Sequence, residues 1–380
     1  MPRTIIALSA IAITMNLTVA VHADQLSSSH ASATSQNFQA SGVRSHGYPV
    51  QPSQDQGQTS GTPATYTDQL SPLADLNNGD YKWLQRFFNN YSSGRHVPTG
   101  RFSALGSPAK NPISCHYTCI PSTGTLALIP VWVGGWASSD ITTWNSVLGN
   151  IVTSLGTNSA NSVALKGHVF NTNTLYFTSQ NLTPPSLQWV PNVSVTAPTA
   201  TSVSDADVAT YINTFISANP TIVPAGTTPV YIYIGADSTL LTSGFGTTYC
   251  GWHSLGRIST GSRIPYIAFQ NFTSQYNSAC SAQTTSPNGN VPLDAMASVM
   301  VHEVDEVITD PHLDAWYDAY GAENADKCAW TFGVYGTLSS GANYNVQLGS
   351  LYYLIQQDWL GNNLVTSTGR ANGTACSITG

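Results

Sequence analysis

The chain has three glutamates in 380 residues, and all three, Glu303, Glu306 and Glu323, lie in one stretch. Nine of its nineteen acidic residues fall between Asp294 and Asp326. The local string is V-H-E-V-D-E-V-I-T-D-P-H-L-D-A-W-Y-D. On a helix His302 and Glu306 stand four apart and project from one face, with Glu303 beside them. Zinc peptidases use this layout as H-E-x-x-H. Two side chains one turn apart grip the metal, and the intervening glutamate takes a proton from the metal-bound water. Here His302 and Glu306 would be metal ligands, Glu303 the general base and zinc the cofactor. Two residues compete as third ligand. His312 follows His302 by ten, the metzincin spacing, but Thr309 stands where that motif turns on a glycine. Glu323 follows by twenty-one, closer to the pattern in which a second helix supplies a glutamate. Asp310 and Asp326 would orient the ligands. The competing reading is a metal-free polar helix stopped by Asp310 and Pro311.

The elements that must position these groups are legible in the apolar pattern. Residues 292–308 predict the helix, with proline in its first turn and Pro311 beyond its end. Helices are also predicted over 140–154, capped by Ser138 or Ser139, and over 205–218, capped by Ser204. Strands are predicted at 126–133, 168–178, 187–195, 229–235 and 263–270, with further strand-like segments at 329–336 and 343–356. The predicted fold is α+β, a zincin-like layered domain whose mixed sheet ends beside the helix carrying H-E-x-x-E.

The first 23 residues read as a secretory signal. Arg3 precedes a short apolar core, Ile5 to Met15, and Val21 and Ala23 prepare a cut before Asp24. Residues 24–70 are rich in Ser, Gln, Thr and Pro and are predicted to be disordered. The remainder, 71–380, is assigned to one domain, with a short amphipathic helix at 80–91. No later stretch is apolar for long enough to span a bilayer, so the mature chain is expected to be extracellular and free of the membrane. A net charge of −7 without a basic stripe excludes nucleic acid as a partner. Six cysteines, an even number, fit an oxidising compartment.

His253, after Cys250-Gly251-Trp252, reads as a packing or hydrogen-bonding residue. There is no Gly-rich phosphate loop and no G-x-S-x-G nucleophile.

Several stretches together resemble the phosphate-induced, EXORDIUM-like family of extracellular proteins. They are PVWVGGWASSDITTWNSVL (130–148), VYIYIGADS followed by CGWH (250–253), and PNGNVPLDAMASVMVHEVDEVITDPHLDAWYD (287–318). Glu323, Asp326 and Cys328 fit the family's E-x-A-D-x-C. The resemblance implies that His302, Glu303, Glu306, Glu323 and Asp326 occupy family positions. It favours Glu323 over His312 as third ligand, because plant members tend to carry an apolar residue at 312. Plant members have a cysteine where this chain has Gly246, and a C-P-G-x-C element where it has Cys280 alone. Loss of one disulfide would leave Cys250 paired with Cys280. Proximity then pairs Cys115 with Cys119, and elimination pairs Cys328 with Cys376. The family is associated with cell expansion and growth signalling in the plant wall space, and no defined catalytic activity comes with it. Two functions are therefore expected. One is a zinc-dependent hydrolase, peptidase-like, acting on an extracellular polypeptide. The other is a non-catalytic protein binding a cell-wall or matrix component on the same scaffold. Two carboxylates on a metal lower its power to acidify water, which sustains the second.

Overall fold

Strands that are buried on both faces read as nearly continuous apolar runs, and three such runs build the centre of this molecule. The computed structural model describes residues 39–44, 113–115, 122–153, 163–164, 169–197, 201–241, 245, 249–257, 263–271, 280–317, 323–360 and 376–378. Its main sheet has eight strands: β1 (Gln39–Arg44), β2 (Thr125–Val133), β3 (Val163–Ala164), β4 (Ser186–Trp189), β5 (Val195–Thr196), β6 (Thr228–Gly235), β7 (Trp252–Arg257) and β8 (Arg263–Gln270). The order across the sheet is β1-β7-β8-β6-β2-β4-β3, with β5 also on β2. Strands β8, β6, β2, β4 and β5 run parallel. The pairs β7–β8, β1–β7 and β3–β4 are antiparallel. The molecule is thus a mixed-sheet, α plus β protein.

Among the described residues, four helices accompany the sheet: α1 (Ser138–Thr153), α2 (Thr174–Thr178), α3 (Asp205–Ala218) and α4 (Val291–Thr309). Strand register assigns them to layers. Trp132 of β2 packs edge-on against Trp144 of α1, whereas Tyr233 of β6 packs against Tyr211 of α3. Tyr233 lies opposite Val131, the neighbour of Trp132, so α1 and α3 cover opposite faces. Helix α4 packs on β8, β7 and α1. The same register carries His253 to Ile267, Ile232 and Pro130, which puts His253 on the face of Trp132 and of α4.

Pro130 sits inside β2, where a missing N–H would normally break a ladder. It falls where β2 changes neighbour from β4 to β5. There the Asn192 amide donates to the Pro130 carbonyl at 2.5 Å, and the Trp132 indole donates to the Asn192 carbonyl at 3.0 Å.

The segment 168–178 differs from the expected strand. Its described part forms a short 3₁₀ turn (Asn171–Asn173) and α2. Its buried apolar residues, Val169, Phe170, Tyr176 and Phe177, do not alternate as strand positions would. The expected strand at 187–195 is divided into β4 and β5. The strand-like tail resolves into two small hairpins, 336–337 with 343–344 and 346–348 with 351–353. Strand β1 lies in a stretch expected to be unstructured, and it covers the free edge of β7. The signal segment and the expected helix at 80–91 lie outside the described residues.

Disulfides join Cys250 to Cys280 and Cys328 to Cys376. Cys115 is also disulfide-bonded, and its expected partner, Cys119, lies outside the described residues. The second bridge ties the short strand at 376–377, paired with 358–359, to the turn at Asp326–Cys328. It closes a loop of 48 residues, and a loop of that length is worth up to about 4 kcal/mol in chain entropy. A double Cys328→Ser, Cys376→Ser variant is therefore predicted to lose stability on that scale in urea unfolding. Unchanged stability would mean that the C-terminal strand contributes nothing to the cooperative fold.

Candidate metal centre

Helix α4 begins where the Asn290 side chain accepts the Leu293 N–H at 3.1 Å, with proline in the first turn. It ends at Asp310, because Pro311 disfavours helical backbone in the residue before it. From Ala295 to Thr309 every residue is buried, polar ones included. The reason is position: sheet lies on one side, and α1 and the hairpin at 351–353 lie on others. His302, Glu303 and Glu306 are consequently 0–1% exposed.

Strand β7 faces this helix. Gly251, at its start, makes the approach feasible, since a Cβ there would stand 2.5 Å from Val299 Cγ1 and 3.1 Å from Glu303 Oε1. Two residues on, the His253 Nε2 atom reaches Glu306 Oε2 at 3.3 Å and Glu323 Oε2 at 3.1 Å. Glu323 enters from the segment after the helix, with its N–H on Asp326 Oδ2 at 3.3 Å. On the other side of Glu306, His302 Nε2 lies 3.1 Å from Oε1, and 3.7 Å from Asp326 Oδ1. Two donor sets thus converge, each with its ligand atoms within 4.8 Å of one another: His253, Glu306 and Glu323, and His302, Glu303 and Glu306.

The structure brings His302, Glu303, Glu306 and Glu323 together. It adds His253, which the sequence marks as a packing or hydrogen-bonding residue and whose Nε2 is hydrogen-bonded with Glu323 Oε2. His312 is half-buried in the turn after α4 and belongs to neither set. Asp310 closes that turn by accepting the Asp314 and Ala315 N–H groups, both at 2.7 Å.

Burying carboxylates away from water is costly unless they hold protons or share a cation. Burial, with repulsion from Asp326, Glu323 and Glu303, pushes the Glu306 carboxyl well above the usual carboxylate range. Burial also raises Glu323, against a hydrogen bond with Asp310 that lowers it. The His253 ring is pushed down to about 4 by burial, partly countered by Asp310, so it is neutral near pH 7 as a metal ligand must be. Neither carboxylate oxygen of Glu306 accepts a hydrogen bond among the described residues, although both lie beside imidazole nitrogens. Zinc, with bonds of about 2.0–2.1 Å, sets tetrahedral donors roughly 3.3 Å apart. The 3.1 Å and 3.3 Å separations are on that scale, and the donors suit a divalent cation.

A second polar network lies beside the cluster. Asn173 donates to Asp305 Oδ1 at 2.5 Å, and Asn324 donates to Asn173 Oδ1, at 2.8 Å, and to Asp358 Oδ2, at 3.2 Å. Asp305 and Asn324 are the sequence neighbours of Glu306 and Glu323, so these amides fix the backbone on both sides of the centre.

The model of the phosphate-induced protein 1 conserved region matches residues 119–352, more than half of the chain. A curated relative, Protein EXORDIUM-like 3 of Arabidopsis thaliana, is 39% identical over 94 residues. That match covers 21% of this chain and 27% of the relative, so the chain spans about a quarter of that protein's length. No solved structure matches. No helix among the described residues is long and apolar enough to cross a membrane.

Burial pushes Asp358 up to about 8, against hydrogen bonds from Trp359 and Asn324 that lower it. Its unfolded value is about 3.9. A group raised on folding contributes stability that is complete below the unfolded value and is lost as pH rises through the folded one. The melting temperature of chelator-treated protein is therefore predicted to fall between about pH 5 and about pH 8. The slope should be shallower in Asp358→Asn. Equal slopes in the two proteins would show that Asp358 does not take up a proton on folding.

Proposed function

Because the chain belongs to the phosphate-induced protein 1 family, we propose that it is an exported, zincin-type metal-dependent hydrolase that cleaves peptide bonds in extracellular polypeptides. One observation carries the reading. Glu306 holds a fully buried carboxylate between two imidazoles, and neither oxygen accepts a hydrogen bond among the described residues. Such a group, joined by Glu323, is suited to share a cation.

In this reading zinc is held by the set that the motif implies, His302, Glu306 and Glu323, and when bound it polarises the scissile carbonyl and acidifies a water. Glu303 is the general base. It lies one residue from His302, among the donors that converge on Glu306, and would take the proton from the attacking water and return it to the leaving amine. Burial strengthens each of these interactions by excluding bulk solvent.

The second reading, a non-catalytic protein that binds a wall or matrix component, is favoured by a different observation. His253, His302, Glu303, Glu306 and Glu323 are all between 0% and 2% exposed, which suits a metal that stabilises the fold. Substitution of the base separates the two. Glu303→Gln keeps the shape and removes the basic oxygen, and general-base catalysis is worth about 10²–10⁴-fold. The variant is predicted to retain zinc and to lose peptide-pool hydrolysis by that factor. A zinc-loaded wild type without turnover on broad peptide pools would establish the scaffold reading.

A further inference from the structure

The two histidines of the cluster face Glu306 from opposite sides, and their surroundings differ in one chemically decisive way. The Gln356 side chain lies against His302, and its orientation is fixed by two backbone groups. Its Oε1 accepts the Trp330 N–H at 3.0 Å, and its Nε2 donates to the Ala325 carbonyl at 2.8 Å. Turning the amide over would set donor against donor at one contact and acceptor against acceptor at the other. The Gln356 backbone is also anchored to α4, its N–H donating to Ser298 Oγ at 3.1 Å. The same Nε2 stands 2.9 Å from His302 Nδ1. It is a donor, so Nδ1 must accept. A neutral imidazole whose Nδ1 accepts carries its proton on Nε2. That nitrogen, 3.1 Å from Glu306 Oε1, presents an N–H edge and has no lone pair for a metal.

His253 is placed otherwise. Its Nε2 faces two carboxylate oxygens, Glu306 Oε2 and Glu323 Oε2, which come from different elements. Gly251 lets β7 come close enough to α4 for this reach. We infer that the metal's imidazole ligand is His253, completing a set with Glu306 and Glu323, and that His302 is a positioning residue whose Nε2–H edge lies beside the Glu306 carboxylate without ligating the metal. The inference rests on the metal-centre reading above and changes its donor set. Three protein donors from α4, β7 and the segment at 323 leave a fourth position for water or a substrate carbonyl, as in catalytic zinc sites.

X-ray absorption at the zinc edge counts imidazoles directly in the full-length mature protein loaded with zinc alone. The wild type should show one imidazole per zinc. His302→Ala should keep that imidazole while its zinc affinity falls roughly tenfold or more, the usual scale for a lost orienting partner. His302→Gln retains an N–H donor and should restore most of the affinity, whereas glutamine replacing a true imidazole ligand would not. His253→Ala should lose the imidazole signal. Two imidazoles in the wild type would overturn the inference while leaving the metal centre standing. So would loss of the signal in His302→Ala with its retention in His253→Ala. If His253→Ala fails to fold, His302→Ala still decides: retention of its imidazole signal supports the inference and loss overturns it. A wild type that takes up no zinc overturns both the inference and the function on which it rests.

Discussion

Carboxylates without a basic side chain to neutralise them are costly to bury, and the centre of this molecule is organised around that cost. Glu306 and Glu323 meet histidines where a lysine or arginine would ordinarily be found. The arginine ion pair among the described residues, Arg263 with Asp314, lies partly exposed and elsewhere. Groups so placed bind protons in the metal-free chain, and any metal ligation requires those protons to leave. A folded state retains such a cluster only where surrounding structure holds it in place.

That surrounding structure is extensive. Helix α4 is enclosed between the sheet, α1 and the hairpin at 351–353, so its polar residues cannot turn to water. Strand β7 is paired on both edges, to β1 and β8, and the Cys250–Cys280 bridge anchors the residue before Gly251. The amides of Asn173 and Asn324 link Asp305 of α4 to Asp358. Gln356 joins the 323–330 segment to both His302 and Ser298. The elements around Glu306 are thereby held in place, which is the pre-organisation that a metal site or a proton-transfer site requires.

The central strands and the three long helices were readable because periodicity and caps are local. Ser204 with Asp207 forms a capping box, and Asn290 with Pro292 starts α4. The clustering of glutamates marked the helix that carries Glu303 and Glu306 and the later segment that carries Glu323. Three features were out of reach for the same physical reason, that they depend on contacts distant in sequence. His253 faces α4 because of strand register, which its own neighbours do not encode; the signal available was Gly251 two residues earlier, a close-approach residue at a strand start. The role of Gln356 depends on carbonyl and amide groups about thirty residues upstream. The segment 169–178 carries β-compatible residues, but its buried positions cluster in pairs, and packing selects helix there.

Anomalous diffraction at the zinc edge, from crystals of the mature chain grown with zinc and without chelator, tests the central claim most directly. The account predicts one strong peak bonded to Glu306 and Glu323 oxygens at about 2.0–2.2 Å. An empty map at Glu306, with its carboxyl still buried and unaccompanied, would contradict it.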